Sequence, residues 1–247
     1  MKNFKLTIEY DGTAYHGWQI QKKARTIQQE IQQALELMTR QKIVLNGSGR
    51  TDAGVHAMAQ TANFKCTTDL SAHVFQKGLN SLLDDDIVIL DCQEVPENFH
   101  ARFDAKAKTY KYRILNRDLP SAIDRNYVWF IRSPLNIENM NQAAKHIIGT
   151  HDFKSFEGTG SPRIHTIRSI TKAEFTIQDN GFLSFHIQGN GFLRYMVRNI
   201  VGTLADAGLE KISPDEFRQV LLSKNRNNAG ITAPAQGLFL MCVDYES

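Results

Sequence analysis

The chain has 247 residues, enough for one large domain or two modest ones, and its apolar fraction of 42% is ordinary for a globular core. No apolar run approaches the ~18 residues of a membrane-spanning helix, and the chain starts with an alternating strand pattern rather than a signal peptide, so we expect a cytoplasmic protein that does not contact membranes. Three widely separated cysteines favour buried thiols over disulfides or a zinc site, and a net charge of +3 does not by itself establish a nucleic-acid partner.

The first half of the chain alternates strand and helix patterns. Apolar residues at every second position predict a strand over residues 4–10. Thr26 and Gln29 form a capping-box signal at the start of a helix of about 15 residues. Further elements follow at residues 42–45 (strand), 58–64 (strand), 70–83 (helix) and 87–95 (strand). This order of elements is typical of a ferredoxin-like unit, an antiparallel sheet with helices on one face.

A glycine-rich stretch joins the second and third of these strands. Residues 47–57 read G-S-G-R-T-D-A-G-V-H-A and show no apolar periodicity. The glycines let a ligand approach the main chain, and Arg50 stands two residues before the carboxylate of Asp52. A plain surface turn is also rich in Gly, Thr and Asp. The two flanking strands favour instead a rigid loop that presents a reactive group.

The pattern restarts near residue 105. The predicted elements are a strand at 108–115, a helix at 137–148, an extended segment at 152–156, a hairpin of 166–177 and 182–188, a helix at 193–207, a helix beginning at Ser213 and a final strand at 237–245. Arg194 and Arg198 are four residues apart, so their guanidinium groups can point the same way. We predict an α+β fold of two domains, residues 1–104 and 105–247, that share a mainly antiparallel central sheet and leave a cleft between them.

Basic residues concentrate at the start of the second half. Between Arg102 and Arg132 there are eight Lys or Arg residues and three acids, and Tyr110, Tyr112 and Tyr127 stand among them. Such a segment suits a phosphate backbone with exposed bases, although a solvated strand face explains the charges equally well.

Six motifs together resemble the tRNA pseudouridine synthase A family. In chain order they are YHGWQ at 15–19, GRTDAGVH at 49–56, FHARF at 99–103, KTYKY at 108–112, MVRNIVG at 196–202 and GLFL at 237–240. They extend from the first loop to the last strand, and the set is far more specific than any single motif.

The resemblance implies a homodimer of subunits with two ferredoxin-like (RRM-like) halves. It implies an isomerase that converts uridine to pseudouridine at positions 38, 39 and 40, in the anticodon arm of tRNA, without a metal or other cofactor. It also implies that Asp52 is the catalytic residue, and it matches Tyr110 and Arg198 to positions in the active site.

The reaction suits these residue types. It breaks the bond from C1′ to N1, turns the uracil and joins C1′ to C5, and an ionised carboxylate can act either as a nucleophile or as a base that removes a sugar proton. Arg198 is the expected partner of the carboxylate, and Arg50 is the rival, which can equally bind a phosphate. Tyr110 can stack on the flipped uracil and remove the C5 proton, and Leu238 can form an apolar wall beneath the base. Ordinary structural roles are open to all of them: a solvated arginine, a sheet tyrosine and a core leucine.

Two other kinds of site fail, and one alternative function stays open. Asp52 and His56 lack the further ligands of a metal site, and residues 47–49 lack the rest of a dinucleotide-binding fingerprint. The alternative is a non-catalytic protein that binds an RNA stem-loop. Such a protein has no use for a carboxylate beside phosphates, which it would repel.

Overall fold

The computed structural model describes residues 1–158, 160 and 165–246. Contacts divide the chain into two compact units, one of Met1–Lys106 with Phe239–Ser247 and one of Ala107–Leu238. Strand pairs are mostly antiparallel, which confirms the predicted mixed α+β architecture with a mainly antiparallel sheet. Within the described ranges, no helix is long and apolar enough to cross a membrane.

The elements alternate along the chain. The strands are β1 (Lys2–Tyr10), β2 (Asn46–Gly47), β3 (His56–Cys66), β4 (Ile87–Val95), β5 (Ala107–Asn116), β6 (Trp129–Ile131), β7 (Gly149–Asp152), β8 (Ile167–Ile177), β9 (Phe182–Gly189) and β10 (Leu238–Asp244). The helices are α1 (Ile27–Thr39), α2 (Ala72–Leu82), α3 (Ile137–Lys145), α4 (Met196–Gly208) and α5 (Pro214–Ser223).

The first unit is built around β1. This strand lies antiparallel between β4 and β3, and β2 pairs with the far side of β3. Alternate residues Phe4, Leu6 and Ile8 are fully buried, as expected for a strand with one face on a core. Phe75 of α2 packs against the rings of Phe4 and Phe64 at 4.9 and 5.2 Å. The predicted alternation therefore identified the face of the sheet that α2 covers.

The last strand, β10, does not lie in the domain that the sequence predicts for it. Residues 239 onward belong to the first unit, whereas the sequence places the final strand in the second domain. Phe239 and Leu240 pair in parallel with His56 and Ala57 of β3. Nothing local in the sequence indicates this pairing, because the two partners are far apart along the chain.

The second unit contains a sheet in the order β6-β5-β9-β8-β7. The predicted hairpin of β8 and β9 is confirmed, and its turn contains Asn180 and Gly181 with φ of 60° and 80°. The sequence missed β6, which runs parallel to β5. The extended segment predicted at 152–156 is wrong in part, because residues 154–156 form a 3-10 turn. That turn buries Ser155, whose hydroxyl donates to the carbonyl of Val220 at 2.6 Å.

Two predicted helix starts have different outcomes. The capping box of Ser213 and Glu216 is confirmed at the start of α5. The one predicted at Thr26 is wrong: the Thr26 hydroxyl is buried and has no hydrogen bond within the part of the chain that the structure describes. The first amides of α1 donate instead to the carbonyls of Gly17 and Trp18, at 3.2 and 3.0 Å. Backbone from the preceding loop thus replaces the side-chain cap.

The structure also bears on two smaller predictions, of which the first is wrong. Residues 42–45 do not form a strand, and only Asn46–Gly47 pairs with β3. All three cysteines are unpaired thiols, of which Cys66 and Cys92 are buried and Cys242 is half-buried. Burial raises the pKa of the Cys92 thiol to about 12, so this thiol is unreactive at neutral pH.

Candidate active site

The glycine-rich stretch forms a loop, the Asp52 loop (residues 48–55), between β2 and β3 of the first unit. Its entry is tied to β3 by three hydrogen bonds. The amide of Ser48 donates to the Thr61 carbonyl at 2.7 Å, the Ser48 hydroxyl bonds to Gln60 Oε1 at 2.6 Å, and Gln60 Nε2 donates to the Gly49 carbonyl at 3.1 Å. Ser48 and Gln60 are fully buried. The chain therefore enters the loop on a fixed path.

The middle of the loop rests on the segment after β1. The amide of Trp18 donates to the Thr51 carbonyl at 3.1 Å, and the amide of Gly54 donates to the Tyr15 carbonyl at 3.3 Å. The hydroxyl groups of Tyr10 and Thr51 are 2.7 Å apart in a buried hydrogen bond. These contacts hold the main chain on both sides of Asp52, so the backbone that carries the carboxylate is fixed before any ligand binds.

Glycines in the supporting segment make this close contact feasible. Gly17 has φ of +90°, and a Cβ atom there would lie 2.6 Å from the Thr51 carbonyl oxygen. A Cβ atom at Gly12 would lie 2.1 Å from the Val55 carbonyl oxygen. Any other residue at either position would push the segment away from the loop. Because the carbonyls of Gly17 and Trp18 also accept the first amides of α1, the helix, the segment and the loop form one connected support.

The two predicted charges of the loop differ in exposure. Arg50 is exposed, whereas Asp52 is half-buried and the intervening Thr51 is buried. The amide of Val55 donates to the Asp52 carbonyl at 3.2 Å, which closes a turn around Ala53 and Gly54. Asp52 thus has a fixed backbone and is not sealed in the core, as a residue that meets a substrate requires. An exposed guanidinium beside it suits a phosphate.

His56, the first residue of β3, is part of the core. Its ring is 2% exposed and stacks on Phe239 with centroids 4.7 Å apart. His56 Nδ1 lies 3.1 Å from the amide nitrogen of Gly12 and 3.0 Å from Asp11 Oδ1. The side chain thus fixes the loop exit rather than facing a ligand. Among the described residues, no group of three or more His, Cys, Asp or Glu side chains could hold a metal ion.

Tyr110 and Tyr112 lie on the same face of β5 in the second unit. Tyr112 is fully buried, and its hydroxyl donates to the Pro234 carbonyl at 2.7 Å. Burial raises the pKa of the Tyr112 hydroxyl far above its usual range, and the charge of Arg198 partly opposes this shift. Tyr110 retains 8% exposure, and its ring meets Phe192 edge-on at 5.1 Å. Of the two tyrosines, Tyr110 is the one with a surface left for a ligand.

Arg198 lies in the first turn of α4. Its Nε donates to the Ala233 carbonyl at 2.7 Å, and its guanidinium carbon lies 5.1 Å from the centre of the Tyr195 ring. The guanidinium of Arg194 lies over the same ring at 4.6 Å, so the two arginines do converge as predicted, although Arg194 precedes the helix. These contacts fix the position of the Arg198 side chain at the start of α4.

Sequence reasoning missed Tyr195, which holds both arginines. Its φ of +60° is unusual for a residue other than glycine, and it places the ring beside the start of α4. No local signal predicts this conformation. Asn199 was also missed as a support: it is fully buried, donates to the Phe156 carbonyl at 2.9 Å and accepts from Thr232 at 2.6 Å and Arg226 at 3.1 Å. It thereby holds the segment that supplies Ala233.

The predicted site residues therefore fall into two groups. Arg50 and Asp52 share the loop of the first unit, and Tyr110, Arg198 and Leu238 belong to the second. Leu238 is buried at the start of β10, with 5% exposure. The pairing of Asp52 with Arg198 stays a prediction.

Comparison with known proteins gives concordant results. The family model described as tRNA pseudouridine synthase matches residues 6–104 and 143–246. Three curated relatives called tRNA pseudouridine synthase A come from Thermoanaerobacter sp. (strain X514), Clostridium acetobutylicum and Acetivibrio thermocellus. They are 50%, 50% and 46% identical to this chain, and each alignment covers 99% of this chain and 100% of the relative.

Proposed function

Because the chain belongs to the tRNA pseudouridine synthase family, we propose that it acts on uridines 38, 39 and 40 in the anticodon arm of tRNA, with Asp52 as the reactive carboxylate. It is an isomerase that converts uridine to pseudouridine, as its family does. The observation that carries the proposal is the support of the Asp52 loop. A half-buried carboxylate is held on a backbone that is hydrogen-bonded on both sides of it.

The carboxylate begins the isomerisation. Breaking the bond from C1′ to N1 leaves an electron-deficient sugar carbon, which a carboxylate can trap as a nucleophile or relieve by removing a sugar proton. The freed uracil turns and joins C1′ through C5, and the proton on C5 then leaves. Substrate and product have the same atoms, so no oxidant, reductant or co-substrate takes part.

Residues of the second unit serve the base and the carboxylate in this proposal. Tyr110, which retains 8% exposure, stacks on the extruded uracil through its ring, and its hydroxyl accepts the C5 proton. Arg198 orients the Asp52 carboxylate through the guanidinium that Ala233 and Tyr195 already hold. Leu238 forms the apolar wall beneath the base, and the exposed Arg50 binds a phosphate. Extruding the target uridine costs a few kcal/mol, less in a loop or at the end of a stem.

We also propose that the units are ferredoxin-like halves and that the enzyme works as a homodimer in the cytoplasm. Support for the first half comes from its element order along the chain and from its strand order in the sheet, β4-β1-β3-β2. In this order β1 and β4, the first and last of the four strands along the chain, are neighbours. The dimer is tested by the mass of the protein in solution.

The experiment uses unmodified tRNA transcripts that carry uridine at positions 38 to 40. After incubation with the protein, pseudouridine is mapped by chemical labelling. We expect label at these positions and, for Asp52→Asn, a fall in turnover of more than about a thousandfold while tRNA binding survives. Asp69→Asn, which changes an exposed acid of the same unit, is the matched control and should retain parental turnover.

The same experiment distinguishes the isomerase from the alternative, a non-catalytic RNA-binding protein. A non-catalytic stem-loop-binding protein would bind the transcripts and leave every uridine unchanged. Turnover by Asp52→Asn at the rate of Asp69→Asn would show that Asp52 is not the reactive group, even if pseudouridine is formed.

A further inference from the structure

The sheet of the first unit has a second face that α2 does not cover. Side chains alternate along β3, so Phe64 points toward Phe75 of α2 while Asn63 and Lys65 point the other way. The same alternation on β1 directs Asn3 to that second face, since Phe4 packs on Phe75. This face is where the chain places residues 96–103 after β4.

Residues 96–103, here called the strap, are fixed to this face by two buried asparagines. Asn3 Nδ2 donates to the carbonyls of Pro96 and Phe99 at 3.0 and 2.9 Å. Asn63 accepts from the amide of Ala101 at 2.9 Å and donates to Asn3 Oδ1 at 3.0 Å. Both asparagines are at most 2% exposed. The strap is therefore a fixed wall rather than a loose loop.

A cavity of about 380 Å³ lies along this wall. It is lined by Lys42, Val44, Asn46, Asn63, Lys65, Asn98, Phe99 and His100. Its lining contains two exposed lysines, three amide side chains and two rings, and no carboxylate. Two acids lie close by in the sequence, Glu97 within the strap and Asp104 directly after it, but neither lines the cavity. This composition favours an anionic ligand with polar groups to bond and a flat group to stack.

An exposed aromatic ring extends the cavity outward. Phe103 is 74% exposed, and its ring packs on the ring of His100, a cavity-lining residue, at 4.3 Å. The guanidinium of Arg102 lies 5.7 Å from the centre of the Phe103 ring. A large apolar ring held in solvent beside cations is what base stacking requires, because every base offers a π face while its phosphate needs a positive charge nearby.

We propose that this cavity and the Phe103 ring bind a segment of RNA in the tRNA substrate, Lys42 and Lys65 contacting phosphates and Phe103 stacking on an unpaired base. The site is lined by none of the residues of the Asp52 loop, and Asn46, its lining residue nearest to the loop along the chain, lies two residues before Ser48. The cavity is therefore a second contact with the substrate, beside the entry to the loop that carries Asp52. This inference rests on tRNA being the substrate.

The test compares charge reversals on the two faces of the sheet. Lys65→Glu and Lys42→Glu change the cavity, and Lys77→Glu changes an exposed lysine on α2, the opposite face. Affinity of the full chain for an unmodified tRNA transcript is measured over a range of salt concentrations. We expect each cavity variant to weaken binding about fivefold or more near 0.1 M salt and to reduce the salt slope by about one, with Lys77→Glu within about twofold of the parent.

Phe103→Ala gives a second readout that charge reversal does not supply. Loss of stacking should weaken binding by roughly fivefold or more while the salt slope stays the same, because no phosphate contact is lost. Thermal melting of each variant confirms that the fold is retained. Since Lys42 lies outside every helix and strand, that variant stands in for Lys65→Glu if the strand variant is unstable.

Equal affinities for the cavity variants and Lys77→Glu would overturn the proposal. So would a cavity variant that changes the oligomeric mass and leaves tRNA affinity intact, because the face would then belong to a protein contact. Pseudouridine formation by the parent protein is scored separately. Its absence together with the expected binding losses would refute the isomerase and retain this RNA site.

Discussion

Tyr110 and Tyr112 show how two residues of one type, two positions apart, acquire different roles. The hydroxyl of Tyr112 is committed to the Pro234 carbonyl, and its ring is sealed. Tyr110 retains 8% exposure, and its ring packs edge-on against Phe192. The tyrosine that we propose for the active site therefore differs from its neighbour in solvent access and not in residue type.

Removing the Tyr110 hydroxyl tests its part in proton transfer. Tyr110→Phe should bind tRNA with parental affinity, because the ring remains, and should lose about a hundredfold or more in turnover, because the C5 proton loses its acceptor. Single-turnover assays with unmodified transcripts measure this loss.

Tyr112→Phe is the matched control for that measurement. It should retain turnover and lose about 1 kcal/mol of unfolding free energy, since a buried hydrogen bond to Pro234 is removed. Parental turnover in Tyr110→Phe would reduce Tyr110 to a stacking surface.

At the scale of elements, the Asp52 loop depends on the segment before α1. This segment gives carbonyls to the helix and an amide to the loop, so the position of one element sets that of the other. The sequence motif at residues 15–19 is explained by this double role, because the glycine is needed where the two backbones meet.

Gly17→Ala should disturb that contact. The added Cβ would lie 2.6 Å from the Thr51 carbonyl oxygen, at a φ that residues with side chains avoid. We expect a loss of about 1–3 kcal/mol in unfolding free energy. A displacement of the loop by about 1 Å would lower turnover by up to about a hundredfold. Denaturant unfolding and single-turnover rates give the two values. A variant with both values unchanged would show that the loop does not depend on this contact.

For the whole molecule, the charge distribution matters more than the net charge of +3. If exposed lysines and arginines bind tRNA phosphates, then binding releases counterions from the RNA. Raising the salt concentration from about 0.05 to about 0.2 M should therefore weaken tRNA binding more than tenfold. Measuring with Asp52→Asn separates binding from turnover. A flat salt dependence would contradict the phosphate contacts proposed for Arg50 and for the cavity residues Lys42 and Lys65.

The sequence predicted much of this molecule where the determining signal was local. Alternation identified β1, β4, β5 and the β8–β9 hairpin, and Ser213 with Glu216 marked the start of α5. Prediction from the sequence failed where backbone groups elsewhere along the chain determine a helix start or a strand pairing. Thr26 does not cap α1, because carbonyls of Gly17 and Trp18 take its amides, and β10 joins β3 through a pairing that spans most of the chain.

The candidate site follows the same rule. The glycines and the Arg50–Asp52 pair could be read directly, since their spacing is itself unusual. The positive φ of Tyr195 and the burial of Asn199 could not, because both arise from packing around α4.

The pairing of β10 with β3 has a consequence for the newborn protein. Residues 1–106 emerge first, and the roughly 130 residues of the second unit must follow before Phe239 can reach His56. At about 5–20 residues per second, this takes on the order of ten seconds. During that interval the edge of β3 next to the Asp52 loop stays bare and open to mispairing. The Asp52 loop is therefore translated well before β10, the strand that covers the adjoining edge of β3.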